Sequence, residues 1–261
     1  MKSFKEHPYK NKVILITGAA GILGSSLAKE LANFESNIIL TDFNKDKLSE
    51  VAQTLKTKNK NVYSIPLDLS SKNAIDYLMK KVLSKFEKID SAVHCQYPKS
   101  LGFGDSFEDL KEENLFKDLN MQLGITILFS QSLMKQFITQ GFGNLIHISS
   151  IQGVQSPKFD HYRDTKMYSP IEYSAIKSGI ISLTKWLAKY HKNQNIRVNC
   201  VSPGGIMNDQ PEKFLKRYRE DCTNIGMLSP LDISKAILFL LSPEAKAING
   251  HNLIVDDGWT L

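Results

Sequence analysis

Tyr173 and Lys177 stand four residues apart in a segment, 171–191, whose apolar residues recur at helical spacing. Positions i and i+4 share a helix face, so the phenol and the ammonium project the same way. A phenol with an ordinary pKa of about 10 is a poor base at neutral pH, but a fixed cation beside it stabilises the phenolate. Lowering it by roughly three units takes about 4 kcal/mol of differential interaction. Tyr173 is therefore a candidate general acid/base. Taken alone, a Tyr and a Lys at this spacing are most often a surface pair, so the company they keep has to decide.

The elements that would hold such a pair are legible as an alternation. Seven short apolar runs rich in Val and Ile occupy 13–17, 38–40, 62–65, 89–94, 145–149, 196–201 and 253–255. Most lack the strict alternation of a half-exposed strand, which marks them as buried parallel strands. Helical periodicity fills 22–34, 45–55, 72–86, 110–139 and 171–190 between them. The expected fold is α/β and doubly wound: a seven-stranded parallel sheet with helices on both faces, joined by right-handed crossovers, with its ligand crevice at the carboxyl ends of the strands. No repeat or Pro/Gly-rich linker interrupts it, so 1–261 is expected to form a single domain.

Directly after the first run comes Thr17-Gly18-Ala19-Ala20-Gly21-Ile22-Leu23-Gly24, opening an amphipathic stretch. Glycines allow a tight turn and close backbone approach, and a helix N-terminus offers unpaired N–H groups to a pyrophosphate. Gly18, Gly21, Ile22, Leu23 and Gly24 are the candidate dinucleotide-binding residues. The second run ends at Thr41-Asp42. A carboxylate there accepts hydrogen bonds from a free 2′-hydroxyl and repels a 2′-phosphate, so NAD is expected in preference to NADP. The alternative for Asp42 is a turn residue opening the next helix. Asp68 and Leu69 close the third run, where Asp68 either approaches the adenine or caps the following helix.

With 261 residues and 42% hydrophobic composition, the chain suffices for one large core. Its net charge of +6 comes from 33 basic and 27 acidic residues spread along the sequence, with no basic-aromatic cluster of the kind that marks nucleic-acid binding. Cys95, Cys200 and Cys222 are far apart, with no metal-ligand spacing to histidines, and read as reduced thiols; no metal site is expected. Residues 1–12 are polar, and no apolar run is long enough for a bilayer span, so a cytoplasmic protein without membrane partners is expected.

Taken together, these residues resemble the short-chain dehydrogenase/reductase family over nearly the whole chain, which implies a Rossmann-like fold. The glycine turn and Asp68 match its nucleotide half. Asn120 matches the family's helix asparagine that positions a water and Lys177, Ser150 its serine, and Tyr173 with Lys177 its Tyr-x-x-x-Lys pair. Asn199-Cys200-Val201-Ser202-Pro203-Gly204-Gly205 matches the loop that closes on the nicotinamide, adding Pro203, Gly204 and Ile206 to the cofactor contacts. Asn249-Gly250 and Val255-Asp256-Asp257-Gly258 match the last strand. The resemblance also implies a homotetramer or homodimer joined through the 110–139 and 171–190 helices.

Two departures stand out. His94-Cys95-Gln96-Tyr97 replaces the family's Asn-Asn-Ala-Gly type of stretch, with His94 read as a packed strand-end residue. The glycine spacing is G-x-x-G-x-x-G, as in the sugar-nucleotide epimerase and dehydratase branch of the family. The block before Tyr173 and the ending Val255 to Trp259 resemble, more loosely, oxidoreductases of bacterial flagellin-modification gene sets.

Substrate loops are expected at 151–172 and 206–228. The first carries His161, Tyr162, Arg163, Asp164, Lys166 and Tyr168, and a lid helix at 211–220 carries Lys213, Lys216, Arg217 and Arg219. Cations beside aromatics suit an anionic small molecule, a phosphorylated or nucleotide-linked sugar. Residues 101–104 are a third candidate wall. The expected reaction is reversible hydride transfer between NAD and a secondary alcohol: Tyr173 takes the proton, Lys177 lowers its pKa, Ser150 holds the developing carbonyl and Asn120 supports a relay. An isomerase or dehydratase recycling its NAD, and a non-catalytic NAD-binding scaffold, are the alternatives.

Overall fold

The computed structural model describes residues 7–261, so the first half of the polar 1–12 segment lies outside the described residues. Seven parallel strands form one sheet: β1 (Val13–Thr17), β2 (Asn37–Asp42), β3 (Val62–Pro66), β4 (Ser91–His94), β5 (Gly143–Ile148), β6 (Ile196–Pro203) and β7 (Asn252–Val255). Their spatial order is β3-β2-β1-β4-β5-β6-β7. The chain winds outward from β1 to β3, returns, and winds the other way from β4. The crevice at the carboxyl ends of β1 and β4 is thus the topological switch point, where an open parallel sheet binds ligands.

Strand residues alternate between two cores. Ile14, Ile16, Ile38, Leu40, Val93 and Ile146 face one side, against α1 (Ile22–Leu31) and α8 (Pro230–Leu241). Val13, Leu15, Ile39, Ala92, Leu145 and Val198 face the other, against α3 (Lys72–Phe86), α5 (Ile125–Gln140) and α6 (Ile171–Tyr190). Burial on both faces explains why these strands read as continuous apolar runs. The caps follow from sequence: Asn44 accepts from Lys47 N to start α2 (Lys45–Lys56), and Ser71 accepts from Ala74 N to start α3.

Two elements differ from expectation. The continuous 110–139 helix is instead α4 (Glu112–Asp118), a π-helical turn at Leu119–Gly124, and α5. Thr126 Oγ1 donates back to Gln122 O, competing with the backbone ladder just where Gly124 weakens it. α8 is not among the expected helices, although its start is written out: Ser229 and Asp232 form a reciprocal capping box, with Pro230 in the first turn. α7 (Glu212–Glu220) is the expected lid helix. The 151–172 segment carries two short 3₁₀ turns, Ile151–Gly153 and Phe159–Tyr162.

Candidate active site

A cavity of about 670 Å³ opens at the switch point. One end is the glycine turn. Gly18 has φ of 63°, and a Cβ there would lie 2.7 Å from Cys95 O, so the turn rests directly on the backbone after β4. At Gly24 a Cβ would come within 2.3 Å of Gly18 O, so only glycine lets α1 start this close to the strand. The first turn of α1 has no capping side chain and no acidic residue, leaving its N–H groups and positive dipole end free for an anion.

Asp42 braces this turn and walls it at once. Its Oδ2 accepts from Ala20 N at 3.0 Å and its Oδ1 from Asn44 N at 2.9 Å, and the carboxylate forms part of the cavity wall. Asp68 accepts from Ser70 N, yet it too lies along the cavity beside Leu69. Gly21, Ile22, Leu23, Pro203, Gly204 and Ile206 complete that end. An orphaned helix N-terminus, a close-packed glycine turn and a strand-end carboxylate fit a dinucleotide.

Ser150, Tyr173 and Lys177 meet in the same cavity. Ser150 follows β5 and caps the 3₁₀ turn by accepting from Gln152 N, while Tyr173 and Lys177 lie one turn apart on α6. Three contacts lock β5 to α6: Ser149 Oγ donates to Lys177 O at 2.7 Å, Ser178 Oγ donates to Gly153 O at 2.9 Å, and Lys177 Nζ donates to Ile148 O at 3.1 Å. Burial pulls the Lys177 ammonium down to about 8, still mostly charged at neutral pH. The ammonium lies over the rings of Tyr97 and Tyr173, at 5.2 and 5.4 Å from their centroids.

The expected depression of Tyr173 does not hold in the chain by itself. Burial raises the phenol above its ordinary value, and a hydrogen bond from Ser150 offsets this only in part. The cation lies on the ring face, where it does little for the charge on the oxygen. His94 is packed as expected: it is bonded to Thr17 Oγ1 at 2.8 Å, stacked on Phe129, and held neutral by burial. Burial pushes the Cys95 thiol beside it up to about 12, away from reactivity.

Asn120 is not brought to the site. It lies exposed on the π-helical turn, outside the cavity wall. Gln122, two residues on, is buried at 4% exposure, and neither its amide oxygen nor its nitrogen has a partner among the described residues. Counting along a regular helix could not find it, because the π turn changes which residues face inward. Residues 101–104 do not line the cavity directly, where Tyr97 and Pro98 stand, and Leu101 is fully exposed, but Phe103 packs edge-on against the Tyr173 ring at 6.3 Å.

The basic residues of the loops also point elsewhere. Arg163 pairs with Asp160, Arg217 with Asp164, and Arg219 donates to the carbonyls of Asn224 and Ile225. Lys166, Lys213 and Lys216 are exposed, and none of these six lines the cavity. Instead the far end is walled by Ile151, Tyr162, Met167, Phe214, Tyr218 and Trp259. Phe214 and Tyr218, at i and i+4 on α7, were the available sequence signal. Among the described residues no cluster of side chains could hold a metal ion, and no helix is long and apolar enough to cross a membrane.

Residues 18–260 match the family model described as Enoyl-(Acyl carrier protein) reductase. The chain is 41% identical over 254 residues to post-translational flagellin modification protein A of Campylobacter coli, covering 97% of this chain and 99% of that protein. It is 26% identical to the 7alpha-hydroxysteroid dehydrogenase of Bacteroides fragilis, over 97% of this chain and 96% of the relative. Among solved structures, a short-chain dehydrogenase from Leptospira borgpetersenii with bound NAD+ superposes with a TM-score of 0.88 at 27% identity, covering 100% of this chain and 97% of the other.

Proposed function

The chain belongs to the short-chain dehydrogenase/reductase family, and from that membership we propose an NAD(H)-dependent enzyme that interconverts a secondary alcohol and a ketone on a sugar derivative used to modify flagellin. The observation that carries this is the convergence of Ser150, Tyr173 and Lys177 on the cavity that also holds the glycine turn. The sugar and flagellin part of the reading draws on the name of the Campylobacter coli relative.

The dinucleotide supplies the hydride acceptor or donor when bound. The residues of the chain supply the proton chemistry. The Ser150 hydroxyl, fixed at the head of its 3₁₀ turn, donates to the substrate oxygen and stabilises charge developing there. Tyr173 takes the hydroxyl proton in oxidation and returns it in reduction. Lys177 holds a positive charge over the Tyr173 ring and would hold the ribose of the dinucleotide. Gln122, which like Asn120 lies outside the cavity wall but whose buried amide has no partner among the described residues, takes the relay role expected of Asn120. Asp42, negative and already bound to two N–H groups, disfavours a 2′-phosphate and so favours NAD over NADP. Exposed Ile127, Ile138, Trp186 and Tyr190 on α5 and α6 suit assembly into a homodimer or homotetramer.

NADH formation is measured with a panel of sugars and simple secondary alcohols. Tyr173→Phe is expected to lower turnover at least a hundredfold while NAD still binds. Asp42→Asn keeps an acceptor for Ala20 N, so it should chiefly erode the preference for NAD, by about tenfold. Full activity in Tyr173→Phe would remove Tyr173 from the acid/base role, and no NADH from any alcohol in the panel with NAD binding intact would sink the reading.

A further inference from the structure

Lys177 is a buried cation without an anion. Among the described residues no carboxylate pairs with its ammonium. The titratable groups that face it are neutral near pH 7: the Cys95 and Cys200 thiols, which burial pushes up to about 12, the His94 imidazole, and the Tyr173 phenol one turn back on its own helix. A buried ammonium with no opposite charge is drawn toward its neutral form. What this one has is a single carbonyl, Ile148 O, and the faces of two rings, Tyr97 and Tyr173.

The proton chemistry accounts for Tyr173 but not for Tyr97. Tyr97 stands in the His94-Cys95-Gln96-Tyr97 stretch that departs from the family's Asn-Asn-Ala-Gly type, where a glycine would offer no ring. Its ring is held firmly. Ser100 N and Oγ donate to the buried Asp118 at 2.7 and 2.6 Å, tying the segment after β4 to α4, and Phe103 meets Tyr97 edge-on at 5.7 Å. Tyr97 in turn packs edge-on against Tyr173 at 5.5 Å, with its centroid 5.2 Å from Lys177 Nζ. The exposed Lys99 lies 4.8 Å from the same centroid, so this ring offers its electron-rich face to positive charge twice.

We propose that Tyr97 is a positioning residue: the face of its ring stands in for the missing counter-ion, keeping the Lys177 ammonium charged and in place beside Tyr173 before the dinucleotide arrives. A ring face suits a cation that must stay available. It leaves two of the three N–H donors unengaged, whereas a carboxylate would take those donors and repel the phosphates of the dinucleotide. The assignment deepens the oxidoreductase reading and rests on it only for its consequence in the reaction.

The charge on Lys177 is read in the ligand-free chain, by pH titration of carbon-13-labelled lysine side chains in NMR spectra, with the Lys177 resonance identified by its loss in Lys177→Met. Its midpoint is expected near about 8. Tyr97→Phe keeps the ring and should leave that midpoint within about 0.3 pH units. Fluorine atoms added to the ring of the Tyr97→Phe variant drain charge from its face and nearly keep its shape. The midpoint should then fall stepwise, by about one pH unit at three fluorines, a tenfold loss of proton affinity. The same fluorination at Phe103, whose ring packs on Tyr97 and not over the ammonium, should leave the midpoint in place. A midpoint indifferent to fluorine at position 97, or one that moves as far with fluorine at Phe103, overturns the proposal. So does a fall in Tyr97→Phe as large as in its trifluorinated form, since the hydroxyl would then be the partner. NADH affinity, titrated by fluorescence at about pH 8 in the same variants, is expected to fall about fivefold as the charged fraction falls. A falling midpoint with constant NADH affinity would remove Lys177 from dinucleotide binding in the reading above and leave the Tyr97 assignment standing.

Discussion

Gln122 shows how much one side chain can carry when its surroundings are closed. A primary amide offers two donors and two acceptor lone pairs, and among the described residues none is taken at Gln122 despite its 4% exposure. Lys177 has three N–H donors, and among the described residues its side-chain hydrogen bond goes to Ile148 O. The π-helical turn packs against α6, which carries Lys177, so a water that reached both groups would link them. Gln122→Leu, of similar size and without polar atoms, should therefore lower kcat about tenfold or more while the KM for NAD stays put. Gln122→Asn should recover most of that loss, and Asn120→Ala, at an exposed position, should stay within about twofold of the parent. Steady-state kinetics of the three variants decide the matter: a large loss in Asn120→Ala with none in Gln122→Leu would return the role to the asparagine.

The precision of the site belongs to how two elements meet. A Cβ at Gly153 would lie 2.6 Å from the backbone carbon of Lys177, so the 3₁₀ turn that carries Ser150 touches the backbone of α6 itself. Gly153→Ala must push the turn outward, which should cost about 1–3 kcal/mol of stability as overpacking. It should also separate Ser150 from Tyr173, so kcat is expected to fall about tenfold or more while NAD affinity holds. Thermal melts read beside steady-state rates test it, and unchanged melting with unchanged kcat would refute the close approach.

This dependence on backbone contact also marks what the sequence could tell. Glycines after β1, apolar runs buried on both faces and the Tyr173–Lys177 spacing each impose local constraints, and each led to the right element. Asn120 misled because a π turn rotates every later residue relative to a regular helix. The basic residues of 151–172 and α7 misled because sequence shows a charge but not its partner: Asp160, Asp164 and Asp221 lie 3 to 63 positions away from the cations they neutralise. Trp259 lacked any periodic context, with only Thr260 and Leu261 after it, and only the fold carries it to the cavity.

At the scale of the whole molecule, the centre of the sheet is built to stay uncharged. His94 and His147 are direct neighbours in register across β4 and β5, both fully enclosed. His147 is bonded to Ser130 Oγ at 2.9 Å and Thr184 Oγ1 at 2.8 Å, and His94 to Thr17 Oγ1, with the Lys177 ammonium as a further positive neighbour. Among the described residues no carboxylate is hydrogen-bonded to either ring. Burial pushes both imidazoles down to about 3 from an ordinary 6.5. The folded pKa is lowered, so the stability these groups contribute is present above 6.5 and is lost as pH falls toward about 3, because only the unfolded chain binds the protons in between. Each histidine contributes a slope of about 1.4 kcal/mol per pH unit in that window. Carboxylates titrate near 4, so the interval from 6.5 to 5 reports the histidines. Urea unfolding across that interval should show stability falling with acid, and His147→Gln, which retains a donor and an acceptor for Ser130 and Thr184, should show a slope shallower by about one proton. The two curves are then separated at pH 7 and converge as pH falls. Parallel curves would mean that His147 is protonated in the folded sheet, and that the centre of the site tolerates a second cation beside Lys177.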